Sequence, residues 1–261
     1  MDAAEICTMP MANAVIDEAT GKELPYRQLI TLPETKSTWQ RSSANEFGRL
    51  FQGVGERITG TNTCKFIRHE DVPKDKNPTY ARFVCDIRPQ KAEKERTRLT
   101  VGGNLINYPG DVSTRTADLT TSKCVINSVL STPNAKYMCL DVKDFYLNSP
   151  MDRPEFMQIP INLIPDEIIQ QYNLQKILHN NKVYVQIDKG MYGLPQAGIL
   201  ANKLLAERLA KHGYPQRPCL GTSPRHRSHH GSHLHVHGLL CHPSGCHINL
   251  LCHRHDSENS Q

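Results

Sequence analysis

The residues best suited to chemistry are two aspartates three apart, Asp141 and Asp144, at the end of an apolar run. Tyr137-Met-Cys-Leu140 leads straight into Asp141, and an aromatic pair, Phe145 and Tyr146, comes directly after Asp144. A short apolar run bounded by turn residues predicts a buried strand. A carboxylate closing such a strand sits at a sheet edge, where a hard cation such as Mg²⁺ takes oxygen ligands. The plainer alternative is that Asp141 caps the next turn and Asp144 is solvated, since turns favour Asp on their own account.

Several elements must position these carboxylates. Leu119, Val125, Ile126, Val129 and Leu130 keep a helical spacing, with Thr116 or Asp118 as the cap, and that helix leads into the Asp141 strand. Downstream, Glu155–Ile159 reads as a strand, and Pro165 opens a helix through Ile168, Ile169 and Tyr172. Lys182–Ile187 alternates, with Val183, Val185 and Ile187 on one face. The loop Gly190-Met-Tyr-Gly-Leu-Pro-Gln-Ala-Gly198 then precedes an amphipathic helix through Leu200, Leu204, Leu205 and Leu209, closed by His212-Gly213.

Upstream, Ser37 or Thr38 is expected to cap a helix through Trp39, Ala44, Phe47 and Leu50, with Glu46 and Arg49 facing solvent. Cys64–Ile67 and Tyr80–Ile87 are predicted strands. Arg88–Arg98 is rich in cations, including Lys91 and Lys94. It reads either as a solvated hairpin or as a basic flap that holds phosphates.

At 261 residues the chain is long enough for one large domain or two small ones. Hydrophobic content of 38% and a mean hydropathy of -0.52 describe a polar composition. No apolar run approaches the length of a membrane span. Met1–Met11 is acidic and lacks a signal-peptide pattern, so Cys64, Cys85, Cys124 and Cys139 are expected to be reduced thiols of an intracellular protein. A net charge of +5 fits a nucleic-acid partner without establishing one.

Three segments in order carry a resemblance: Arg82–Arg88, the Asp141 stretch, and Gly193-Leu-Pro-Gln-Ala197 with a helix after it. Together they resemble the reverse transcriptase domain of copia-type LTR retrotransposon Pol polyproteins. The similarity covers residues 13 to 214, and Arg98-Leu-Thr-Val-Gly-Gly103 and Met191–Ala201 carry it most closely. The resemblance implies an α+β right-hand polymerase fold, with fingers and a partial palm over residues 25–214 after an N-terminal arm of residues 1–24. It implies RNA-directed DNA polymerisation with Mg²⁺ or Mn²⁺, on an RNA or DNA template-primer with deoxynucleoside triphosphates. Other Pol segments are implied as partners, and the cytoplasm, a virus-like particle or the nucleus as the location.

In that resemblance Asp141 matches the first metal-binding carboxylate. Asp144 and Phe145 match positions beside the incoming triphosphate. Tyr146 matches the aromatic residue that crowds the sugar 2′ position, with plain core packing as the alternative. Gln196 matches a glutamine that touches the nucleotide, with Gly193 and Gly198 allowing close backbone approach. Arg82 matches a triphosphate contact by loose alignment, and Arg88, Lys91 and Lys94 more loosely still.

The chain departs from the family after Tyr214. The family's second catalytic element, an apolar strand and then Asp-Asp, has no counterpart, since the only later aspartate is Asp256. Residues 215–261 instead hold ten of the thirteen histidines, with Cys219, Cys241, Cys246 and Cys252 among them. A zinc-binding tail is one reading, although the spacing matches no standard finger. The favoured one is an out-of-frame tail, irregular or disordered, on a catalytically incomplete domain. A non-catalytic nucleic-acid-binding remnant is the alternative function.

Overall fold

The computed structural model describes residues 15–17, 20–113, 119–133, 136–212, 234–242 and 245–252, with backbone alone for Thr121, Lys136, residues 138–141 and the two tail segments. The chain is mixed α/β and divides into two compact units. One comprises residues 1–107 and 150–194; the other comprises 108–149 and 195–261.

The first unit is built on a curled five-stranded sheet. Its strands are β1 (Cys64–Ile67), β2 (Thr79–Ile87), β3 (Glu95–Val101), β5 (Pro150–Pro160) and β6 (Lys182–Lys189), in the order β1-β6-β5-β2-β3. β2 meets β5 in parallel only at Thr79 and Tyr80, so the β2–β3 hairpin extends beyond the rest of the sheet. Val183, Val185 and Ile187 are buried on one face, as their alternation predicts.

Among the described residues this unit holds three α-helices: α1 (Tyr26–Leu29), α2 (Pro33–Leu50) and α4 (Asp166–Gln171). α2 starts at Pro33, with Leu32 as an N-cap that makes no side-chain bond. The expected caps, Ser37 and Thr38, lie inside the helix, because proline at the first position tolerates the missing N–H and presets φ. The apolar side of α2 packs its rings on the sheet. Phe51 stacks on Phe66 at 4.2 Å and Phe47 lies 6.1 Å from Phe83, which stacks on Tyr26 at 4.4 Å. Part of the N-terminal arm joins this unit, where Val15 is buried with Leu29 and Trp39.

Glu46 does not face solvent as expected. It is 3% exposed, and the reason is the sheet edge. β3 is an edge strand whose outward N–H groups need acceptors. Ser42 Oγ accepts from Thr97 N–H at 2.7 Å and donates to the Glu95 carbonyl at 2.9 Å. Glu46 Oε1 accepts from Leu99 N–H at 3.3 Å, and the Tyr192 carbonyl accepts from Val101 N–H at 2.9 Å. Two side chains one turn apart on α2 thus do part of the work of a sixth strand. Arg49 and Arg96 neutralise Glu46 at 2.7 and 2.8 Å, and both also reach Glu93, closing a ring of four charges.

The second unit contains α3 (Leu119–Ser131), β4 (Lys136–Asp141) and α5 (Ala197–Lys211). The expected caps of α3, Thr116 and Asp118, lie outside the described residues, as does Gly213. The tail, expected to be irregular from residue 215, is described only over β7 (Leu234–His242) and β8 (Gly245–Cys252). Their backbones pair as a hairpin, and β8 runs antiparallel to β4, with His247 opposite Asp141.

Candidate functional site

The strand expected to end on a carboxylate is β4, and it ends at Asp141. The Asp141 side chain lies outside the described residues. The next residues form a turn, in which Asp144 takes a left-handed backbone, φ +52°. Asp tolerates that region better than most residues because its short polar side chain bonds locally. Tyr146–Asn148 then form a single 3₁₀ turn, which packs against α5. Phe145 and Tyr146 are both half-buried, their rings 5.8 Å apart and tilted by 53°. Asp144 is also half-buried. Leu147 is the residue of this turn that enters the core.

Gln196 stands at the start of α5, where its carbonyl accepts from Leu200 N–H at 3.1 Å. Its side chain is 1% exposed. The preceding loop belongs to the first unit. There Gly193 has φ +94°, and a Cβ on it would overlap the Val101 carbonyl oxygen. The close approach that requires this glycine is to the backbone of β3.

Asp144, Phe145, Tyr146 and Gln196 all belong to the second unit, with the backbone of Asp141. Arg82 belongs to the first. It lies on the outward face of β2, between Tyr80 and Val84, and pairs opposite Thr100 of β3. Arg98 shares that face, opposite Val84, and its nearest carboxylate contact is Asp86 at 3.9 Å. The sequence by itself places Arg98 in the charged hairpin rather than on this face. The signal that could have found it is the alternation Arg96-Thr-Arg98-Leu-Thr100, with Thr97 and Leu99 buried.

The flap residues divide. Arg88 is taken up by protein, with Asp86 and Glu93 each at 3.8 Å. Burial, and after it the neighbouring Arg96, holds its guanidinium below the usual arginine range. Lys91 is exposed and Lys94 lines a groove beside the flap. That groove, of about 550 Å³, runs along α2 and is also lined by Thr38, Arg41, Asn45, Glu93 and Glu95. Its charges are mixed, so it shows no preference for an anion.

Among the described residues, no three His, Cys, Asp or Glu side chains converge as a metal would require. Cys64, Cys85 and Cys124 are free thiols, and burial pushes Cys85 up to about 12 and Cys64 higher still. No helix among the described residues is long and apolar enough to cross a membrane. No protein-family model, curated protein or solved structure matches the chain.

Proposed function

We propose that this chain is a reverse transcriptase domain of the copia type that cannot complete catalysis by itself. The observation that supports the reading is the local order from β4 to the 3₁₀ turn. A strand closes on Asp141, and a tight left-handed turn then presents Asp144, Phe145 and Tyr146 in succession beside α5. In this reading residues 25–214 form the fingers and a partial palm.

In this reading Asp141 is the metal-binding carboxylate and Tyr146 screens the sugar of the incoming deoxynucleotide. The resemblance assigns Asp144 and Phe145 to the triphosphate, Gln196 to the incoming nucleotide and, by loose alignment, Arg82 to a triphosphate contact. A two-metal site needs carboxylates enough to clamp both ions. Asp141 without an Asp-Asp pair after Tyr214 supplies too few carboxylates to hold both Mg²⁺ or Mn²⁺ ions.

The experiment is primer extension on an RNA template with Mg²⁺ and then Mn²⁺. The expected result is binding of the primer–template without extension. Extension that Asp141→Asn abolishes would overturn the assignment of incompleteness.

A second reading, a non-catalytic nucleic-acid-binding protein, is favoured by the cations Arg82, Lys91 and Lys94 around one hairpin. It predicts affinity that falls steeply with salt, because phosphate contacts release counterions. Binding of equal strength at low and moderate salt removes it. Zinc held by the His/Cys tail is a third reading. Equal zinc content in the full chain and in a form ending at residue 214 removes that one.

A further inference from the structure

The turn after β4 is held by two side chains that the sequence motifs do not single out. Asp144 is left-handed, φ +52°, whereas Phe145 returns to the right-handed region at φ -53° and ψ -50°. Asp enters the left-handed region at a modest cost, and a neighbour that bonds its backbone there favours that conformation over the right-handed one. The 3₁₀ turn beyond it is closed by Ser149 N–H donating to the Tyr146 carbonyl at 2.9 Å. A 3₁₀ turn bonds three residues back, so the amides four residues beyond Asp144 and Phe145 bond elsewhere and side-chain donors can reach those two carbonyls.

Two side chains do so. Asn148 Nδ2 donates to the Asp144 carbonyl at 3.0 Å, and Ser149 Oγ donates to the Phe145 carbonyl at 3.1 Å. Both reach back four residues. Ser149 is buried and braced by its backbone bond, whereas Asn148 is exposed and holds Asp144 by its side chain.

We infer that Asn148 is a positioning residue for nucleotide selection: its amide keeps Asp144 left-handed and so sets the direction in which the Asp144 carboxylate and the Tyr146 ring leave the chain. The inference rests on the polymerase reading above. The ligand it serves is a deoxynucleoside triphosphate, discriminated from a ribonucleoside triphosphate by the placement of Tyr146. Without the Asn148 donor, Asp144 relaxes toward the right-handed region, and every side chain after it turns with the backbone.

The test uses the full chain on a labelled RNA template with a dideoxy-terminated primer and Mg²⁺. It measures affinities for dATP and ATP in the ternary complex. Asn148→Asp keeps the volume but cannot donate, and Asn148→His restores a donor. Asn148→Asp is expected to lower the dATP-to-ATP preference by about tenfold, the size of one net hydrogen bond. Asn148→His keeps most of the preference. Primer–template affinity stays unchanged in both variants and the melting temperature falls by only a few degrees in Asn148→Asp, as the loss of one exposed hydrogen bond requires, which separates positioning from a loss of folding. A preference that persists undiminished in Asn148→Asp overturns the inference and leaves the polymerase reading standing. If the unaltered chain binds neither nucleotide, the polymerase reading and the inference fall together.

Discussion

Replacing Glu46 by alanine tests the account of how α2 closes the sheet edge. Three groups lose a partner at once: the Leu99 N–H, Arg49 and Arg96. The orphaned amide costs about 1 kcal/mol or more, and each charge-assisted bond about 1.5–3 kcal/mol. Glu93 already bonds both arginines and returns part of that loss. The expected destabilisation is therefore about 3–5 kcal/mol, the range for a buried ion pair broken by removing one partner. Glu46→Gln keeps an acceptor for Leu99 but loses the charge, and falls lower at about 2 kcal/mol. Glu93→Ala is the control. Its side chain is 29% exposed, so screening limits its cost to about 1 kcal/mol. Urea unfolding monitored by Trp39 fluorescence measures all three, since this is the only tryptophan and it is buried in the same unit. The reasoning fails if Glu46→Ala costs no more than Glu93→Ala, because Glu46 would then be an ordinary surface carboxylate.

Gly193→Ala forces a Cβ against the Val101 carbonyl at a positive φ and is expected to cost about 2 kcal/mol or more in the same assay; an unchanged midpoint refutes the close approach. Stability falls at both ends of the pH range. Although burial alone would raise it, the neighbouring Arg96 and Arg49 hold the Glu93 carboxyl below the usual range, so its contribution is present above the unfolded pKa and lost as acid protonates it. Burial raises Cys64, Cys85 and Tyr26, so their contribution is full below the ordinary thiol value and is lost as pH rises above about 9. A stability profile by urea midpoint that is flat above about pH 9 contradicts that burial. Maleimide labelling of the native protein at neutral pH, mapped by mass, is expected to modify Cys124 and to spare Cys64 and Cys85. Labelling of Cys64 at the rate of Cys124 would contradict the packing of β1.

Much of the element order is legible in the residues themselves. β1, β2, β4 and β6, and the helices α3 and α5, stand within a few residues of where periodicity and turn residues put them. These are local properties. Alternation in Val183, Val185 and Ile187 survives any arrangement that buries one face. The Asp141–Tyr146 and Gly193–Gln196 motifs are equally visible, because they are short and continuous.

The features that the sequence leaves open depend on partners far along the chain. Glu46 fits the spacing of the buried residues Trp39, Ser42, Ser43, Phe47 and Leu50, yet a carboxylate on that face is unfavourable until its partners are known. Those partners are an edge-strand amide and an arginine 50 residues later, brought together only by the sheet order β1-β6-β5-β2-β3. Arg88 and Arg98 show the same dependence, alike in composition but separated by the carboxylates each one reaches in the hairpin. Local patterning decided which residues form strands and helices here. Only the tertiary structure decided which charges are buried, because burying a charge is tolerable only where an opposite charge and free backbone donors already wait for it.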